Sequence, residues 1–274
     1  MQQLARATFM SKNLRVPTNW QDPSGDPEAK HYGQAFKDSE KASSPGAPPL
    51  FTPASLNKYH TDTQKMLISK YGEFIDGICS AICSAWSQWQ STATMAGFVV
   101  TGPMVVGGII PPVPWMPLIM ASAPKGTPMM LKYSTTVANV ISMQWLALSA
   151  TITVSAPFAA YPPFATFPSP AIPPPGIPNM VPIPLAALPT IMDMLVSNNT
   201  MKPMMVGMLG DPQAPFHQEL FESICTAFEQ SFTIWKSSTM LNQVMAMGAV
   251  PTWTPVSPAG PVVGTAMMLP GGMT

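Results

Sequence analysis

The sequence predicts a mainly α fold with extended Pro/Gly-rich segments and short β. Three helix-plus-extended-tail repeats are expected to pack in one body behind an N-terminal arm. Three observations carry this: an internal repeat, apolar stripes at helical spacing, and 34 prolines among 274 residues. Proline removes a backbone donor and fixes φ, so neither a regular parallel sheet nor a long helical bundle accounts for the whole chain.

The repeat is ungapped. Ile78-Cys79-Ser80-Ala81-Ile82, then Trp86 and Trp89, matches Ile224-Cys225-Thr226-Ala227-Phe228, then Phe232 and Trp235, at a constant offset of 146. Gly102 and Gly248 keep that offset. Between them, Val137, Ile141, Trp145, Leu148 and Thr151 follow Ile78, Ile82, Trp86, Trp89 and Thr92 at an offset of 59. The units are placed at about 58–125, 127–182 and 213–270, within a body spanning 56–274.

Each unit opens on a helix. In the first, Ile68, Tyr71, Ile75, Ile78, Ile82, Ala85 and Trp89 line one face, and Ser55 or Thr61 is the expected cap. In the third, Leu220, Ile224, Ala227, Phe228, Phe232 and Trp235 form the stripe, and Asp211-Pro212 reads as the start signal. The middle helix, about 130–150, is apolar nearly all round and is expected to be buried on every side. The tails are strand-like where β-branched, at Phe98-Val99-Val100 and Thr151-Ile152-Thr153-Val154. Beyond those stretches they read as polyproline or turns with little regular hydrogen bonding. A short helix is expected near Pro189–Val196. Residues 1–55 read as an extended arm, polar and proline-containing, that orders on a partner.

Charge is sparse and unevenly placed. Charged residues are 9% of the chain, against a usual share of roughly 25%. Basic and acidic residues number 13 each, so the net charge is zero and the basic surplus of a nucleic-acid binder is missing. Residues 77–124, 133–192 and 237–274 carry no charge at all. A soluble monomer puts charge on every exposed face, so these runs are expected to be covered by other subunits. The best window for a membrane span, Met95–Met120, contains Gly102, Pro103, Gly107, Gly108, Pro111, Pro112, Pro114 and Pro117. Such a backbone cannot satisfy itself in lipid, so membrane contact is not expected. The opening MQQLARATFMSKN lacks the apolar core of a secretory signal.

No motif carries a reaction. Cys79, Cys83 and Cys225 read as small buried hydrophobes. His31, His60 and His217 are scattered without metal-ligand spacing and read as surface or capping residues. Gly107-Gly108 has no basic neighbour to meet phosphate and reads as a turn. Glu73 and Asp76 read as a solvated helix start rather than an acid/base pair. Trp86 and Trp89 read as core rather than a stacking platform. No catalytic, cofactor-binding or metal residues are therefore expected, no cofactor, and no small-molecule substrate.

The segment Ile78-Cys79-Ser80-Ala81-Ile82-Cys83-Ser84-Ala85-Trp86-Ser87-Gln88-Trp89, with Val100-Thr101-Gly102-Pro103 and Pro112-Val113-Pro114-Trp115-Met116-Pro117-Leu118-Ile119, resembles structural subunits of tailed phages and phage-like contractile injection particles. The resemblance covers about 58–270; the high methionine and proline content departs from it. It implies a non-enzymatic component of a tail, neck or baseplate. Its partners would be copies of itself and other particle subunits, and it would be assembled in the bacterial cytoplasm into a virion or phage-like particle. The competing reading is a membrane-active or secreted effector-like protein that inserts its neutral tails.

Overall fold

The computed structural model describes residues 1–14, 53–161, 165–166, 170–185, 193–250, 259–260 and 262–274. The mainly α class with short β holds. Helices α1 (Gln2–Ser11), α2 (Pro53–Thr92), α3 (Met116–Ser122), α4 (Pro128–Ser149), α5 (Asn198–Leu209) and α6 (His217–Ser238) form one part of the body. The other is a six-stranded antiparallel sheet of β1 (Met95–Thr101), β2 (Met104–Ile109), β3 (Val154–Ala159), β5 (Ala171–Ile177), β8 (Val244–Ala249) and β10 (Val263–Met268). Its order is β3-β2-β1-β10-β8-β5. Short pairs join β4 (Ala165–Thr166) to β9 (Ala259–Gly260) and β6 (Ile183–Pro184) to β7 (Met240–Leu241).

Each of the three long helices leads into a strand of the same sheet: α2 into β1, α4 into β3, and α6, through β7, into β8. The Gly102/Gly248 match is not a structural equivalence. Gly102 lies in the β1–β2 turn, whereas Gly248 lies inside β8 opposite Gly264.

The helical stripes pack as their spacing requires. Ile75, Ile78, Ile82, Ala85 and Trp89 of α2 and Leu220, Ile224, Ala227, Phe228, Phe232 and Trp235 of α6 are buried. Their rings meet those of α3 and α4 in one aromatic cluster. Trp115 stacks on Trp145 with centroids 4.2 Å apart. Trp89 meets Trp145 edge-on at 4.6 Å. Trp86 touches Trp115, Trp145, Phe228 and Trp235 at 5.1–5.6 Å. The indole N–H groups of Trp89, Trp115, Trp145 and Trp235 are buried without a hydrogen-bond partner.

Several expectations are corrected. Residues 2–11 are helix rather than extended arm, and α1 buries Ala5 and Phe9, one turn apart, in the core. Residues 15–52 lie outside the described residues. Helix α2 begins at Pro53, so Ser55 and Thr61 fall inside it rather than at its cap. Helix α6 begins at His217, beyond the Asp211-Pro212 signal, after Phe216 with φ 55°. Helix α4 is capped by Thr127, whose Oγ1 accepts from the Met130 N–H at 3.1 Å. It is not buried all round: Leu131 and Met143 are each 43% exposed. Most of the expected helix near Pro189–Val196 falls on residues 186–192, outside the described residues; Asp193 is helical and Met194–Val196 form a 3-10 turn.

The largest correction concerns the tails, which form the sheet. Val100 opposite Val105 and Thr101 opposite Met104 leave a two-residue turn, Gly102-Pro103. Gly102 takes the positive φ, 60°, that such a hairpin needs first, and proline supplies the fixed negative φ after it. Gly107 and Gly108 are strand residues of β2, not a separate turn. A Cβ on Gly108 would stand 2.4 Å from the Phe98 ring, so glycine there makes room for a core side chain. After β5, Asn179 takes the place of a strand. Its Oδ1 accepts from the Val244 N–H at 2.9 Å, and its Nδ2 donates to the Leu241 carbonyl at 3.0 Å.

Charge ties the helices to one another. Lys12 after α1 and Lys202 of α5 each reach a Glu222 oxygen on α6 at 2.6 Å. Arg6 pairs with Asp76, and Lys236 with Asp193 at 2.7 Å. The hydrogen bonds from Lys12 and Lys202 hold the Glu222 carboxyl below its ordinary value.

Two outcomes follow from this packing. Trp145→Ala empties the middle of the aromatic cluster and should cost about 3–5 kcal/mol, read as a lower urea midpoint at unchanged slope. Glu222 is deprotonated more readily folded than unfolded, so its contribution is present above the unfolded pKa of about 4.3 and fades as pH falls through the lowered folded value. Glu222→Gln should therefore cost about 1 kcal/mol at pH 7. That difference should shrink in urea melts run toward pH 3.

Candidate assembly surface

The outer face of the sheet is built by strand alternation. Along β1, Phe98 and Val100 are fully buried, whereas Val99 is 53% exposed. Along β10, Ala266 and Met268 point inward, whereas Val263 and Met267 are 46% and 43% exposed. Register joins these into a patch: Val99 lies opposite Thr265 and Val106, Met267 opposite Met245, and Val263 opposite Ala249 and Thr101. The inward set belongs to the single contiguous core that also holds the helical stripes.

No strand of this sheet contains a charged residue, because all six come from the charge-free runs. Every described charge sits on a helix or on a connection outside the strands. Among the described residues, a charged helical part is thus set apart from an uncharged sheet.

The two edges of the sheet differ from its face. Edge strand β3 carries Pro157, and edge strand β5 carries Pro173, Pro174 and Pro175, all exposed. Proline has no N–H to donate, so these edges are poor templates for adding a strand. What the sheet presents is its face. Six strands about 4.8 Å apart and some 20 Å long give about 500–600 Å² per copy. Two such faces together approach the lower end of stable interfaces, about 1,200 Å².

The residues singled out in the sequence are not brought together. Cys79 and Cys225 are buried, but Cys83 is exposed, which corrects its reading as a buried hydrophobe. Burial pushes the Cys79 thiol up to about 12, and raises Cys83 and Cys225 as well. His217 is buried rather than superficial, with Nδ1 against the Ala214 carbonyl. His31 lies outside the described residues, as does the side chain of His60. Glu73 is exposed in mid-helix, and Asp76 beside it is engaged by Arg6, so neither belongs to a helix start. Trp86 and Trp89 lie in the aromatic cluster. Among the described residues, no three His, Cys, Asp or Glu side chains stand together as metal ligands would. No helix among them is long and apolar enough to cross a membrane. No protein-family model, curated protein or solved structure matches the chain.

The surface patch is what sequence reasoning left unassigned. The charge-free runs signalled it, but which side chains face outward required the strand register. The cysteine assignment has a direct check. Native protein treated with a chromogenic disulfide reagent should titrate one fast thiol, removed by Cys83→Ser and faster as pH rises. Two or three fast thiols would contradict the burial of Cys79 and Cys225.

Proposed function

We propose that the chain is a non-enzymatic structural subunit of a large oligomeric particle, and that copies join through the outer face of the sheet. The supporting observation is the patch around Val99, Val263 and Met267, exposed, apolar and uncharged, with every described charge lying outside the sheet. An apolar face this broad on a free monomer promotes association. Its area gives a modest pairwise interface, which suits a subunit held by several neighbours at once. The resemblance to subunits of tailed phages and contractile injection particles supplies the kind of particle: a tail, neck or baseplate component.

The test places a charge on the patch without touching the core. Wild-type protein should sediment well above 29.3 kDa. Val99→Lys and Met267→Lys should shift it to the monomer while far-UV circular dichroism and Tm stay unchanged, because both side chains point outward. A wild-type monomer at high concentration would sink the assembly reading. Vesicle flotation of wild type, lost in Val99→Lys, would instead favour the membrane-active alternative. Quantitative mass spectrometry of purified particles should find the chain in many copies.

A further inference from the structure

Strand alternation sorts the methionines of the six-stranded sheet. Met95 and Met268 point inward and are buried. Met104, Met245, Met247 and Met267 alternate with the buried Val105, Val244, Ala246 and Ala266, so they point outward. Met267 is exposed and the other three are half-buried.

Register gathers three of the four outward sulfurs. Met267 of β10 lies directly opposite Met245 of β8, and Met247, two residues along β8, lies opposite Thr265. Side chains directly opposite stand about 5 Å apart at Cβ, and diagonal ones about 7 Å, within reach of long side chains. Met245, Met247 and Met267 therefore form one contiguous area of thioether on the outer face.

A thioether packs as an apolar group but can be oxidised. Hydrogen peroxide gives one oxygen to the sulfur lone pair. An S–O bond forms, the O–O bond breaks, the sulfur is oxidised by two electrons and the other oxygen leaves as water. The sulfoxide that results is polar. On a free subunit its oxygen is hydrated. In a joined face it would need a donor, and the outward residues of β1, β2, β8 and β10 offer only the side-chain hydroxyls of Thr101 and Thr265. An acceptor carried into such a contact without a partner weakens it. The inward Met95 and Met268 are out of reach of the oxidant, so the core that holds the sheet is spared.

We propose that Met245, Met247 and Met267 are a peroxide-sensitive modification site, and that their oxidation to sulfoxides releases subunits joined through this face. The proposal rests on the reading of the face as the joining surface. Each sulfoxide should weaken association about tenfold or more, the loss expected for one buried unsatisfied polar group. Reduction of the sulfoxides should restore it.

The test is a partial oxidation of the full chain with hydrogen peroxide, in a Cys83→Ser background that removes the exposed thiol as a competing target. Assembled and monomeric fractions are separated by size exclusion, and sulfoxide is measured at each methionine by peptide mass spectrometry. Sulfoxide at Met245, Met247 and Met267 should be at least tenfold enriched in the monomer. Met180 and Met194, 72% and 65% exposed and outside the sheet, should be oxidised equally in both fractions. Treating the monomer with methionine sulfoxide reductases of both stereochemical specificities should return it to the assembled fraction. An untreated chain with no assembled species would sink the assembly reading and this proposal together. An assembled fraction that carries as much sulfoxide at the three sulfurs as the monomer would overturn this proposal alone. So would equal enrichment at Met180 and Met194, or a monomer that stays monomeric once its sulfoxides are reduced.

Discussion

The aromatic cluster is the constraint on which the rest of the molecule hangs. Trp86 and Trp89 come from α2, Trp115 from the cap of α3, Trp145 from α4, and Phe228, Phe232 and Trp235 from α6. Four segments distant in sequence therefore share one contact region. Each ring pair adds about 0.5–1.5 kcal/mol beyond the area it buries. The pairs share rings, so their energies are coupled and the cluster responds as a unit. The helices that meet there lead directly into strands. α2 runs into β1, and α6 continues through β7 into β8, so fixing the helical ends also fixes where those strands begin. Gly108 fits the same logic from the sheet side, because the Phe98 ring that it admits belongs to the same core.

Charge is distributed in accord with that division. Among the helices, ion pairs do the work of orientation: Glu222 receives lysines from both α1 and α5, and Arg6 holds α1 to α2. None of the described ion pairs reaches a strand. The sheet relies on backbone pairing, on Asn179, and on Tyr161, whose Oη donates to the Val244 carbonyl at 2.7 Å. A sheet whose outer face needs water would normally alternate apolar with charged residues. Here the alternation is apolar inward and valine, threonine or methionine outward.

The helices were legible because a period of 3.6 is a local signal. Ile75, Ile78, Ile82 and Trp89 declare a face within fifteen residues. Most of the sheet was not legible, because outside the β1–β2 hairpin its pairing is not local. Met95 lies opposite Met268, and β8 is paired by both β10 and β5. Nothing in Ala171-Ile172-Pro173-Pro174-Pro175 announces that it will edge a sheet; three prolines read as polyproline unless a partner strand is known. Helix α1 was missed because its contribution is small, two fully buried side chains on a ten-residue segment whose other apolar residues, Leu4, Ala7 and Met10, are half-buried or exposed. Helix α5 was missed for a related reason, since Asn198-Asn199 and Pro203 mask the Met201-Met205-Leu209 stripe that it buries. The exposed patch was half legible. Absence of charge marked the runs, and only the register separated Val99 from Val100.

The edges and the face of the sheet make opposite statements about association, and together they narrow its geometry. Association through an edge would use free N–H and C=O groups and extend the sheet without limit, the route that leads to uncontrolled aggregation. Pro157 on one edge and Pro173 to Pro175 on the other deny donors to that route. Association through the face uses side chains alone, so it depends on shape and can be confined to one partner orientation. A chain with charge-free strands but open edges would be at risk of forming fibres. Proline at both edges lowers that risk and leaves the face unaffected. The prolines, which in the sequence argued only against regular structure, therefore have a second consequence: they leave both edges of an uncharged sheet with fewer donors to offer.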